Sequence, residues 1–306
     1  MKKSNAKEKI CGLASYAVLT VLTVAACWFF AGRYGVFGAN MDWISQHSVF
    51  PEYFRQQFYK TGQFFPEYAA NIGGGQNIYN FSYYGLYNPI VLIAYLLPFV
   101  KMSDYLMAAS VICLAVSVCL LYGWLKKRRF STEIALGVAV LFLLAGPMIY
   151  QSCHQIMFVQ YMPFLLMTFL GVDRYWEKGK PGLYTLGVFL MILTSFYFSI
   201  AGMAAIFLYG WYGYPKGIRK RKLFGFPVPM IVAVLSAGVL LVPTAYAILQ
   251  RSGSSQSQNL KELLMPNLQL DSSLYGTYSV GLTVILVAVL LGGIVCGSIR
   301  ERVVSV

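Results

Sequence analysis

A carboxylate, an amide and an imidazole crowd into one short stretch, Asn40-Met41-Asp42-Trp43-Ile44-Ser45-Gln46-His47. Asp42 and Gln46 are four apart, so a helical segment would bring them onto one face with His47 close by. A carboxylate placed there suits a general base for a hydroxyl that attacks a lipid-linked sugar. A phosphate leaving group needs no protonation, so one base plus stabilisation of the phosphate by a cation or metal is enough. The commoner use of such an aspartate is to cap a helix N-terminus. The residues alone leave both readings open.

Further along comes Pro66-Glu67-Tyr68-Ala69-Ala70-Asn71-Ile72-Gly73-Gly74-Gly75-Gln76-Asn77. Three glycines in a row let backbone approach a ligand closely, and Asn71, Gln76 and Asn77 are suitable partners for sugar hydroxyls. The stretch lacks the Gly-Lys-Ser/Thr ending of a phosphate loop, and a simple turn explains it equally well. The aromatic run Tyr79-Asn80-Phe81-Ser82-Tyr83-Tyr84-Gly85-Leu86-Tyr87-Asn88-Pro89 can stack on sugars or lie among lipid headgroups. Arg251, following an apolar run, could fork onto a phosphate or simply meet ordinary lipid. His47 and His154 are the only histidines, and with Asp42 or Glu67 they form the one candidate set for a divalent cation. No other cofactor is indicated.

The elements that must position these residues are membrane helices. The chain is 58% apolar and 11% charged, against about 45–50% and about 25% in soluble domains. So much apolar surface exceeds what one core can hide. A disordered chain, a nucleic-acid module and a disulfide-stapled secreted domain are excluded. Of the six cysteines, only Cys153 lies outside an apolar run, and it is expected to meet water.

A helix needs about 20 apolar residues to cross a bilayer. The segments 10–32, 104–125, 132–150, 157–172, 228–250 and 281–298 meet or approach that length. The stretch 86–100 is too short and is expected to be interfacial or re-entrant. The 30 residues 183–212 lie between basic loops, so they are expected to fold as a short hairpin turning near Tyr197 and Ser199. Basic clusters resist translocation. With the N-terminus cytoplasmic, the blocks at 126–129, 174–180 and 216–222 all face inward, and so does the whole +13 charge. That accounts for the charge without any nucleic acid. The fold expected is therefore an all-α, polytopic integral membrane protein of about six full spans plus a hairpin. It forms a single transmembrane domain over 1–306, with a long first extracytoplasmic loop at 33–103, carrying interfacial helices, and an outer loop at 251–280. Val24-Ala25-Ala26-Cys27 resembles a lipoprotein cleavage box, but apolar sequence continues past it, as in a retained anchor.

No ionisable residue lies mid-span, which speaks against a lipid or polysaccharide exporter, since transport paths usually carry buried charge. A non-catalytic assembly subunit is the other alternative. The Asp42/Gln46 spacing, the Asn71–Asn77 stretch, Tyr87-Asn88-Pro89, Phe196-Tyr197-Phe198 and the Pro243 to Arg251 helix end resemble the YfhO family of bacterial membrane proteins. The likeness runs from the first helix to about Leu282. It implies a class C glycosyltransferase of the bacterial plasma membrane, taking a sugar from a polyprenyl-phosphate donor on the outer face. The acceptor implied is a cell-envelope glycopolymer such as lipoteichoic acid, and a separate enzyme charges the carrier inside. Asp42 would then be catalytic base and Arg251 would hold the donor phosphate. Gln46, His47, Asn71, Gln76, Asn77, Tyr87 and Asn88 would contact substrate. Family members are typically longer, so the chain is expected to be a C-terminally truncated form.

Overall fold

The computed structural model describes residues 2–34, 38, 42–214 and 220–250. Arg251, the outer loop at 251–280 and the apolar segment 281–298 lie outside the described residues. Helix α1 (Lys2–Tyr34) runs unbroken through the Val24–Cys27 motif. A π-helical turn (Trp43–His47) leads into α2 (Val49–Thr61). A two-stranded antiparallel hairpin, β1 (Tyr68–Ala69) with β2 (Gln76–Asn77), pairs Tyr68 with Asn77. A 3-10 segment (Ile78–Tyr84), α3 (Pro89–Ile93) and a 3-10 turn (Ala94–Leu96) follow. The remaining helices are α4 (Met102–Lys127), α5 (Thr132–Leu144), α6 (Gly146–His154), α7 (Ile156–Lys178), α8 (Gly182–Thr194), α9 (Phe196–Gly213), α10 (Lys220–Phe224), α11 (Val228–Ser236) and α12 (Gly238–Leu249).

Among the described residues, four helices are long and apolar enough to span a bilayer: 12–32 of α1, α4, α7 and α9. Two further spans are bent: α5 with α6 by 50°, and α10–α11 with α12 by 62°. Each bend has a local cause. Ala145 is extended (ψ 131°) and Pro147 sits in the first turn of α6, where its missing N–H costs nothing. The second bend falls at Ser236-Ala237-Gly238, and small Gly/Ser pairs are frequent kink sites.

The 183–212 segment is a hairpin, but it breaks at Ser195, slightly before the expected Tyr197 and Ser199. Ser195 is extended (φ −157°) and its hydroxyl accepts a hydrogen bond from the backbone N–H of Phe198, so it caps α9. The two arms differ from the expected pair of short helices, because α9 alone is long enough to cross. Helix α8 packs antiparallel on α7 through small residues. A Cβ on Gly171 would meet the Tyr184 backbone nitrogen at 2.6 Å, and one on Gly187 would meet Thr168.

The described helices share one end where the basic clusters gather. There Asp173, 6% exposed, accepts hydrogen bonds from Arg128 Nη2 (2.8 Å), Trp124 Nε1 (3.1 Å) and the Tyr209 hydroxyl. Two other helices, α4 and α9, thus converge on this one carboxylate of α7. The opposite end is covered by residues 42–101. These are no slack loop. Phe54, Ala69, Ile78, Leu86, Val91 and Ala94 are fully buried and share a second core with Leu106 of α4, Ile156 and Met157 of α7 and Leu240 of α12. The stretch 86–100 forms short turns within this cap instead of a span, as its length required.

Candidate functional site

Asp42 precedes the π turn with helical backbone angles (φ −72°, ψ −40°) and makes no side-chain cap bond. The capping role open to it in the sequence is therefore not the one it plays. The wide turn closes through the Ser48 N–H to the Trp43 carbonyl at 3.0 Å, and such π turns recur at functional sites. It gives the spacing a different meaning from that of an α-helix. His47, five residues on, falls under the electrostatic influence of Asp42, while Gln46 turns toward the aromatic run and accepts a hydrogen bond from the Tyr84 hydroxyl.

His47 is buried, and its Nδ1 has no hydrogen-bond partner. Its ring meets Tyr84 edge-on at 5.6 Å. Burial lowers its pKa to about 4, with nearby Asp42 opposing the shift. The imidazole is thus neutral at physiological pH. Tyr83 is held firmly in its protonated form, first by burial and then by Tyr84, Tyr197 and Asp42. Asp42 itself is half-buried.

Beside this turn lies a cavity of about 390 Å³, walled by residues of the π turn, the 3-10 segment, α9 and α12, among them Gln46, Asn80, Ser82, Tyr83, Tyr84 and Thr244. The wall is fixed where Thr244 Oγ1 of α12 lies 2.9 Å from Ser82 Oγ. Rings surround the polar groups: Phe50 stacks on Phe81 at 4.5 Å, and Tyr83 meets Phe196 edge-on at 5.9 Å. Amides and hydroxyls framed by aromatic faces match the two surfaces of a sugar ring, its hydroxyl rim and its C–H face.

The structure divides the expected site residues into groups. Gln46 lines the cavity directly. Asp42 and His47 stand next to it and reach it through Tyr83 and Tyr84. Gln76 stands one contact away, its Oε1 accepting from Asn80 Nδ2 at 3.1 Å. Asn71 is exposed in the hairpin turn. That turn explains the glycines, since Gly73, Gly74 and Gly75 all have positive φ (59°, 80° and 96°). Asn77 caps the 3-10 segment by accepting from the Tyr79 N–H at 2.9 Å. Tyr87 is buried, stacked on Phe65 at 4.1 Å, with its hydroxyl 2.9 Å from that of Tyr79. Asn88 is fully buried; it caps α3 through Ile90 N (2.9 Å) and donates to Gln160 Oε1 of α7 at 2.6 Å. Asn77, Tyr87 and Asn88 thus use their polar groups inside the cap.

Cys153, expected to meet water, is fully buried against α1. Among the described residues no group of three His, Cys, Asp or Glu side chains could hold a metal ion; His154 lies against Phe30 and Tyr150, and its Nδ1 is 2.8 Å from the Tyr150 carbonyl. The sequence reading did not single out Thr244, Gln160 or the clamp at Arg55. Arg55 is buried in α2 and donates to the carbonyls of Leu97 (3.0 Å) and Val100 (2.9 Å) and to Glu52. An arginine in an otherwise amphipathic loop helix was the available signal.

The family comparison matches residues 16–296 to the description "Bacterial membrane protein YfhO". The chain belongs to the YfhO family. It is an all-α, polytopic membrane protein, and the match takes in the whole cap, the cavity and every described spanning helix except the first turns of α1. No curated protein and no solved structure matches the chain.

Proposed function

We propose that this YfhO-family protein is a membrane glycosyltransferase acting on the outer face of the bacterial plasma membrane, with its N-terminus in the cytoplasm. It transfers a sugar from a polyprenyl-phosphate donor, charged by a separate enzyme, to a hydroxyl of an envelope glycopolymer. The observation that carries this reading is the aromatic and hydroxyl-lined cavity lying directly against the Asp42 turn, at the end of the bundle away from the basic clusters. Gln46 and the cavity hydroxyls hold the transferred sugar, and Gln76 supports them through Asn80. Tyr83, always protonated, donates a hydrogen bond near the reacting centre. Asp42 takes the proton of the acceptor hydroxyl as its oxygen bonds to the anomeric carbon and the carbon–oxygen bond to phosphate breaks. The phosphate leaves as an anion that needs no acid. Arg251, which follows α12 in sequence, is assigned to that phosphate. Neutral His47 places no positive charge beside Asp42. A lipoteichoic-acid-like polymer is the acceptor the family suggests.

The test replaces Asp42 by Asn and by Ala and compares sugar on envelope polymers with wild type by mass spectrometry. Loss of a general base costs about 10²–10⁴-fold, so both strains should lack the modification. Full glycosylation in both would end the catalytic assignment and favour a non-catalytic assembly subunit.

A further inference from the structure

Two buried thiols sit where α1 meets α6. Cys27 ends the inward stripe of α1 formed by Ser15, Leu19 and Thr23 at helical spacing, while its neighbours Trp28 and Phe29 point outward at 82% and 75% exposure. Cys153 lies in the last full turn of α6, just before the chain bends at Gln155 into α7. Both thiols are buried, at 4% and 0% exposure, and both are free. The contact continues on its cap side, where the Phe30 ring meets Tyr150 at 6.4 Å and His154 at 6.1 Å, both edge-on. Helix register and ring packing therefore set the turn of α1 that carries Cys27 against the turn of α6 that carries Cys153. Of the other described cysteines, Cys119 Sγ faces Thr20 Oγ1 at 3.7 Å and Cys113 lies on α4 in the bundle core. A thiol is a weak donor and a weak acceptor, so two of them buried at one helix contact gain little from each other as thiols. A covalent bond gains more, and thiols persist as disulfides on the oxidising side of a membrane.

We propose that Cys27 and Cys153 are joined by a disulfide in the assembled protein. Two S–H bonds break and one S–S bond forms. The two electrons and two protons pass to the disulfide of an extracytoplasmic thiol–disulfide oxidant, which becomes a dithiol. The bond ties the cap end of α1 to the α6–α7 bend. In sequence α1 precedes Asp42, and α7 begins with Ile156 and Met157 of the cap core and carries Gln160, the partner of Asn88. The inference shares with the proposed function the placement of the cap on the outer face, but not the sugar chemistry.

The experiment isolates the full chain in detergent without reductant, blocks thiols with N-ethylmaleimide in denaturant, and maps peptides by mass spectrometry with and without prior reduction. A peptide linked through Cys27 and Cys153 is expected. Cys11, Cys113, Cys119 and Cys296 should be alkylated before reduction, and all six cysteines after it. Cys27→Ser should free Cys153, and Cys113→Ser should leave the linked peptide intact. Should Cys27→Ser fail to accumulate, the wild-type and Cys113→Ser maps still decide. Six alkylated cysteines without reduction overturn the proposal, and so does a link to any other cysteine. Failure here would leave the sugar-transfer reading to the Asp42→Asn glycan measurement, which does not depend on thiols.

Discussion

Replacing Asn88 by Leu removes two hydrogen bonds at once. Its Oδ1 accepts from Ile90 N at 2.9 Å and its Nδ2 donates to Gln160 Oε1 at 2.6 Å, with both residues fully buried. Loss of the cap on α3 costs about 1 kcal/mol. Leaving Gln160 Oε1 unpaired costs a further ~1–3 kcal/mol. Gln160 Nε2 already lacks a partner, so Asn88→Leu strands the whole side-chain amide, and its total cost is about 3 kcal/mol. Gln160→Leu should cost less, because it removes that unpartnered nitrogen while stranding only Asn88 Nδ2. The double change removes both stranded groups and keeps only the lost cap. Its destabilisation should fall short of the sum of the single changes by about 2 kcal/mol or more, since each group no longer stranded accounts for ~1–3 kcal/mol. Equilibrium unfolding in mixed micelles, followed by tryptophan fluorescence, measures the cycle. Strict additivity would refute the reasoning, since the cap would then be joined to α7 by packing alone.

His47, with its pKa lowered to about 4 against an ordinary value near 6.5, makes stability depend on acid. Above about pH 6.5 the imidazole is neutral whether the chain is folded or not. As pH falls toward 4 the unfolded chain takes up a proton that the folded one refuses, so stability should drop by up to about 3 kcal/mol. A His47→Phe variant should lose that part of the slope in the same unfolding assay; an unchanged slope counts against burial of a neutral ring. Arg55→Leu leaves the Leu97 and Val100 carbonyls without their donor and removes the ion pair with Glu52, and should cost about 3 kcal/mol. Amide exchange should accelerate over 94–101 while the amides of α7 stay protected; equal acceleration throughout would show that Arg55 is not a local clamp.

Much of this molecule was legible in its sequence because the bilayer imposes simple requirements. Backbone groups in lipid must bond within their own helix, so apolar runs of sufficient length announce α1, α4 and α7. The shortness of 86–100 equally announced that it would not cross. Ser195, Pro147 and Gly238 carry the local breaks in their own chemistry, although the rule of basic loops located the hairpin turn only to within a few residues. The aspartate, the amides and the aromatic run were visible as candidates for the same reason: polar groups are scarce in such a chain.

What those candidates do was decided by contacts between distant residues. Asn88, read as a sugar ligand, is taken up by Gln160; Asn77 by the turn it caps; Tyr87 by Phe65 and Tyr79. Asp42 is not taken up by a cap, because a π turn follows it in place of an α-helix. Spacing along a chain reports which residues can share a face, whereas a cavity exists only where separate segments fail to fill the space between them. Here the π turn, the 3-10 segment, α9 and α12 meet around Gln46, Tyr83 and Thr244, and sequence periodicity carries no information about that meeting. Composition and helix length therefore determined the membrane, the helices and the pool of polar groups. The packing of the cap on the ends of α4, α7 and α12 determined which of those groups face the cavity and which hold the cap together.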